Sequence, residues 1–247
     1  MNKLSVIVLA FNEVNSLKTT VEEIYDLMGN QDVEIIISTS KNATIPCQEM
    51  SASLQEKFSN LSLHFQNRPF VAAAVLEVLD TVKSKYVIYM SADKETPASL
   101  IPQLLAHIEM HGSDIICASR WIVPGSFTDY GKIKFLLSWL AQNLCKVVYR
   151  SSLTEFTYGF RIYRTSLLKE FVFRESKHTF FLESLLIPLR LNAQILEIPV
   201  RWVARDEGSS VVNFRTLISY LRPIIRVRLV KSSKLYRTND KNVRFGD

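Results

Sequence analysis

A chain of 247 residues, 47% of them hydrophobic, can form one large or two small domains with a substantial core, and only seven glycines and eight prolines exclude a collagen-like or low-complexity chain. The formal charge of +6 raises nucleic-acid binding, but the excess is local: nine Lys or Arg fall between positions 215 and 244, against Asp240 alone. Aromatic residues do not interleave with these bases as in a single-strand platform, so nucleic acid is not an expected partner, whereas a basic, apolar-striped tail suits an anionic membrane surface.

The opening, MNKLSVIVLAFNE, superficially suggests a secretory leader, but its apolar stretch ends at Phe11 without a small-residue cleavage site, and it predicts a strand over residues 4–10. Val14, Leu17, Val21, Ile24 and Leu27 recur at helical spacing and predict a helix over 14–28. A strand over 33–37, a helix over 48–58, a strand over 61–65 and a helix over 71–82 follow, then a strand over 86–90, a helix over 98–110 and a strand over 115–118. Strands alternating with helices predict an α/β fold with a mainly parallel sheet and right-handed crossovers, and a nucleotide-binding first half. The longest apolar stretch, residues 135–149, carries Gln142, Asn143 and Lys146 and falls short of the roughly 18 uninterrupted apolar residues of a membrane span. Cys47, Cys117 and Cys145 lie far apart in apolar surroundings, the pattern of free thiols in a reducing compartment, with no zinc-ligand spacing.

The stretch KYVIYMSADKETP, residues 85–97, concentrates the chemistry. Tyr86 to Met90 form an apolar run fit for a buried central strand, after which Ser91, Asp93 and Glu95 follow at two-residue spacing, and Pro97 stands where a new helix begins. Ligands of open α/β sheets bind outside the carboxyl ends of the strands, so these acids are placed either as a solvated acidic turn or as holders of a metal and, through it, a phosphate.

LSVIVLAFNE, VIYMSADKETP, ASRWIVPGS, TYGFRIYR, FFLESLL and EIPVRWVARDEGSS, in that order, resemble the successive motifs of family-2 glycosyltransferases with the GT-A fold, in the branch of dolichol- or polyprenol-phosphate mannosyltransferases. The resemblance covers about residues 4–230 and implies an α/β GT-A nucleotide-diphospho-sugar domain over 1–212; beyond it Phe214, Leu217, Ile218, Leu221, Ile224, Ile225 and Leu229 recur at near-helical spacing and predict a basic amphipathic helical segment and tail over 213–247, with Pro223 expected to kink or split the helix. The resemblance also implies Mg or Mn as cofactor, a nucleotide-sugar donor, and a lipid-phosphate acceptor at the membrane face. By this resemblance Ala10, Phe11, Asn12, Glu13, Ser91 and Asp93 bind the nucleotide, and Asp93 with Glu95 holds the metal. Arg120, Lys134, Arg205 and Ser210 bind the acceptor, the last two within the closing pattern Arg205, Gly208, Ser210. The sequence departs from the family at Ser91, where the first aspartate of D-x-D belongs. Further departures are Thr39 and Ser40, where paired aspartates are usual, residues 67–70, where the family has a glycine-containing turn, and Val211, where it has a lysine.

The implied reaction is attack of an acceptor oxygen on the anomeric carbon, with inversion, as the nucleoside diphosphate leaves. A phosphate acceptor, ionised with a second pKa near 6, needs no general base, whereas a hydroxyl acceptor needs one, for which Glu155 and Glu183 are the candidates, alongside Asp93 in the catalytic set. Such an enzyme is expected in the cytoplasm, peripheral on the inner membrane face, in cell-surface glycan synthesis. Three other readings stay open: a glycan-extending transferase, a degenerate nucleotide-sugar-binding protein, and a nucleotidyltransferase of similar fold.

Overall fold

The computed structural model of the protein describes residues 2–29, 33–127, 131–201 and 214–237. Its first half follows the predicted alternation: β1 (Leu4–Leu9), α1 (Asn15–Met28), β2 (Val33–Ser40), α2 (Ile45–Lys57), β3 (Leu61–Gln66), α3 (Val71–Leu79), β4 (Tyr86–Ser91), α4 (Ile101–His111) and β5 (Ile115–Ser119). The second half adds α5 (Lys132–Tyr149), β6 (Arg161–Arg164), α6 (Thr165–Lys169), α7 (Thr179–Arg190), β7 (Ile195–Pro199) and α8 (Phe214–Leu229). A single 3-10 turn over Ala98–Leu100 separates Pro97 from α4.

The strands form one seven-stranded sheet in the order β3-β2-β1-β4-β6-β5-β7. All pairings are parallel except those of β6, which runs antiparallel between β4 and β5. Both faces are covered, so the central strands read as continuous apolar runs whose alternate residues serve different cores. In β4, Tyr86, Ile88 and Met90 pack with α1, α2 and α4 on one face, while Val87 and Tyr89 pack with α3, α7 and α8 on the other. Cys47, Cys117 and Cys145 are free and buried, and burial pushes the Cys117 and Cys145 thiols up to about 12, so both stay protonated at neutral pH.

Helix α8 runs unbroken through Pro223, which was expected to kink or split it. The segment that the sequence set apart as a C-terminal unit packs on the body: Ile224 and Val227 enter the core beneath α7, and Phe171 pairs with Tyr236 across an isolated bridge. Among the described residues no helix is long and apolar enough to cross a membrane.

Candidate active site

Parallel pairing brings three loops together at the carboxyl ends of β2, β1 and β4. Leu9 is in register with Ser38 on one side and with Ser91 on the other, and the Ala92 N–H donates to the Leu9 carbonyl at 3.0 Å. The 10–13 loop therefore lies between the 39–40 strand end and the 91–97 turn. Glu13 shapes this loop, since its carboxylate accepts the Phe11 and Asn12 amides at 2.7 and 3.0 Å, while the Thr44 N–H donates to the Phe11 carbonyl. Ala10 is buried beneath the loop and Phe11 is half-exposed at its rim.

Asp93 is buried at the end of β4, and its Oδ1 accepts the Glu95 amide at 3.1 Å while its own N–H donates to the Ser91 hydroxyl at 3.4 Å. Between the two acids Lys94 has φ +62°, in the left-handed region, which folds the chain back so that Asp93 can cap the turn. The turn is thus built on Asp93 and cross-braced by Ser91, the residue that replaces the family aspartate. Thr39 Oγ1 is buried without a hydrogen-bond partner at the neighbouring strand end. Phe70, in the turn where glycine is usual, adopts φ +76°, ψ +164°, backbone that favours glycine, and Glu77 steadies that turn by accepting the Asn67 and Arg68 amides.

The second half of the site is a buried ion pair. Arg120, at the end of β5, meets Glu155 in a two-pronged contact, Nε to Oε2 at 2.7 Å and Nη2 to Oε1 at 3.1 Å. Glu155 also accepts the Gln142 amide at 2.9 Å and the Thr157 and Tyr158 backbone N–H groups at 3.1 and 3.0 Å. Burial alone would raise its carboxyl, but the Arg120 guanidinium and these donors outweigh it and hold Glu155 below the ordinary carboxylate range. Glu197 on β7 places this loop by accepting the Thr154 and Glu155 amides, and burial raises its carboxyl. Tyr158 joins the two halves: its hydroxyl donates to the Glu95 carbonyl at 2.7 Å, and its ring lies 4.5 Å from the Arg120 guanidinium, which also lies 5.7 Å from the Phe127 ring.

Glu183 stands apart from this constellation. It lies on α7, fully buried, accepting the Arg174 and Glu175 amides and pairing with Arg226 of α8, and burial outweighs that cation to raise its carboxyl. Through this pair Glu183 joins α7 to α8. Glu155 has both carboxylate oxygens engaged by Arg120, and that cation lowers its basicity. Arg226, counted in the sequence among surface bases, points inward. Lys134 stands half-buried in the first turn of α5, and Arg205, Gly208, Ser210 and Val211 lie outside the described residues.

Sequence reasoning missed Tyr158 and Gln142. The signal for Tyr158 was its place in TYGFRIYR. For Gln142 it was a polar residue on the inner face of α5, visible only once that face was known. It also missed Arg161, wholly buried in β6, whose guanidinium donates to the Phe156 and Phe181 carbonyls and ties the Glu155 loop to α7.

A doubly covered, mainly parallel seven-stranded sheet, with the 10–13 loop and the acidic 91–97 turn side by side at its carboxyl edge, is the architecture of a GT-A glycosyltransferase. The family model described as Glycosyl transferase family 2 matches residues 5–172, and the chain belongs to that family. It is 24% identical over 210 residues to an undecaprenyl-phosphate mannosyltransferase of Micrococcus luteus, covering 83% of this chain and 85% of that one. A dolichol-phosphate mannosyltransferase of Pyrococcus furiosus is 22% identical over 227 residues, 91% of this chain, which spans 63% of that relative's length. Glucosyl-3-phosphoglycerate synthase from Mycobacterium tuberculosis, solved with Mn2+, uridine diphosphate and phosphoglyceric acid, superposes with TM-score 0.71 at 14% identity, over 94% of this chain and 80% of that one, and the likeness shows the shared fold.

Proposed function

We propose that this protein transfers a sugar from a nucleotide-diphospho-sugar to a polyprenyl phosphate, working against a membrane face. The observation that carries the choice of acceptor is the state of the two candidate bases: Glu155 is bound to Arg120 and Glu183 to Arg226, so the site favours an acceptor that is already ionised. Relatives named for undecaprenyl and dolichol phosphates support the same class.

The residues fit a divalent cation of the Mg2+ or Mn2+ kind. Among the described residues there is no group of three or more His, Cys, Asp and Glu to cage an ion. Mg2+, however, is commonly held by one or two carboxylates together with substrate phosphates, and Asp93 with Glu95 supplies that number. When bound, such an ion would neutralise the charge that builds on the departing diphosphate. The 10–13 loop, whose Phe11 and Asn12 amides are held by the Glu13 carboxylate, would wrap the base and ribose, while Asp93 and Ser91 would set the diphosphate end. Arg120, fixed by Glu155 and stacked on Tyr158, would place its cation beside the 91–97 turn, where Lys134 and Arg205 would add to an anionic acceptor's field.

The test is turnover of a panel of nucleotide sugars with Mn2+ or Mg2+ and a short-chain polyprenyl phosphate, reading nucleoside diphosphate and glycolipid. Glycosyl-phosphoryl lipid with stoichiometric nucleoside diphosphate supports the assignment. Transfer only to glycan hydroxyls, or release of pyrophosphate, overturns it. Nucleotide-sugar binding without turnover on any acceptor would leave a binding protein.

A further inference from the structure

Helices α5 and α8 pack side by side, with the Tyr149 hydroxyl donating to the Ile224 carbonyl at 2.9 Å and Ala141, Cys145, Ile224 and Val227 turned into the body. Their outer faces are apolar. On α5, Ile133, Leu136 and Leu140 follow at spacings of three and four, with Trp139 beside them, all 40–74% exposed. On α8, Ile218, Leu221 and Ile225 repeat the same spacing at 37–53% exposure. Ten of the eighteen exposed large apolar side chains among the described residues lie on these two helices. Such concentration marks an interaction surface.

Charge identifies the occupant. Neither helix contains an Asp or Glu, while together they carry seven Lys or Arg, and of these Arg226 is turned inward. On α8, exposed Arg222, which also reaches the Glu175 carboxylate at 3.9 Å, and exposed Arg228 follow Leu221 and precede Leu229, so they border the stripe on either side. A second copy would set base against base with no acid on either face to compensate. An anionic monolayer satisfies both features, offering phosphates to the bordering bases and an acyl region to the stripe, with Trp139 of the residue type enriched at that boundary. The face also connects to the site: the rings of Trp121, Phe127 and Phe135 lie 4.6 and 5.3 Å apart in a chain that starts beside Arg120 and ends on α5.

We propose that α5 and α8 form one two-helix surface that docks on an anionic membrane monolayer, with α5 as much as the basic C-terminal segment entering the lipid. Only its relation to the acceptor rests on the functional assignment above. The experiment is co-sedimentation of the full chain with vesicles of phosphatidylcholine, alone or with phosphatidylglycerol, at low and high salt. The expected result is binding that requires phosphatidylglycerol and weakens with salt. Leu136→Glu with Trp139→Glu, and separately Ile225→Glu, should each weaken it at least about tenfold, since each removes exposed apolar area and adds a like charge to the lipid. The still more exposed Met110→Glu, away from these helices, should leave it unchanged, and all variants should keep the melting temperature and nucleoside-diphosphate affinity of the parent. The proposal is overturned if the α5 variants bind as the parent does, if the parent ignores anionic vesicles, or if light scattering shows a dimer through this face instead. Turnover of a water-soluble short-chain prenyl phosphate separates the two ideas. Activity without vesicle binding sinks the docking surface alone, and vesicle binding without activity sinks the acceptor assignment alone.

Discussion

At the scale of single residues, the site depends on carboxylates whose partners differ. Asp93 caps its own turn through Oδ1, a bond that an asparagine oxygen can also accept, so Asp93→Asn should keep the fold while removing metal-dependent nucleoside-diphosphate binding; calorimetry with and without Mn2+ reads it, and unchanged binding would place the ligand elsewhere. Glu155 has a buried partner, and Glu155→Gln should destabilise by roughly 3–5 kcal/mol because it strands the Arg120 charge. Its carboxyl is held below the ordinary carboxylate range in the fold, so the stability it contributes is complete above that range and is lost as pH falls through the lower folded value. The variant should therefore show a flatter acid limb in urea melts between neutral pH and pH 3 than the parent. Phe70, half-exposed with glycine-type backbone, is the opposite case: relief of strain worth about 1–3 kcal/mol competes with a lost cation–ring contact to Lys177 at 4.8 Å, so Phe70→Gly should raise the melting temperature and Phe70→Val lower it.

At the scale of elements, the first half was legible because its parallel strands are apolar runs bounded by polar turns and its helices carry the 3.6-residue period; α1 was expected over 14–28 and spans Asn15–Met28. The reversal of β6 was not legible, since a four-residue strand, Arg161–Arg164, has no pattern that states its direction, and only hydrogen bonding to β4 and β5 sets it. The role of Glu183 turned on the same kind of information. On α7 alone it is a lone acid in an apolar helix; against α8 it is the counterion of Arg226. Glu183→Gln should then accelerate amide exchange across α8 and lower thermal stability while leaving nucleoside-diphosphate affinity intact. A variant that is as stable as the parent but inactive would place Glu183 in the catalytic set.

At the scale of the whole molecule, the C-terminal segment is held to the body by the Glu183–Arg226 pair, the Phe171–Tyr236 bridge and the buried side chains of Ile224, Val227 and Leu235. Each such side chain is worth roughly 1.5–3 kcal/mol. Removing residues 213–247 should therefore drop the melting temperature by about 10 °C or more, at roughly 2–4 °C per kcal/mol for a chain of this size, and an unchanged melt would make the segment a separate unit. The sequence by itself determined the α/β class, the order of the first nine elements, the family, and the place of Asp93 and Glu95 after the central strand, because periodicity and local turn chemistry are written in neighbouring residues. Only the tertiary structure decided that Glu155 binds Arg120, that Tyr158 ties that pair to the acidic turn, and that α5 packs beside α8. Those outcomes depend on which side chains meet across tens of residues, and burial then sets the ionisation of the groups that meet.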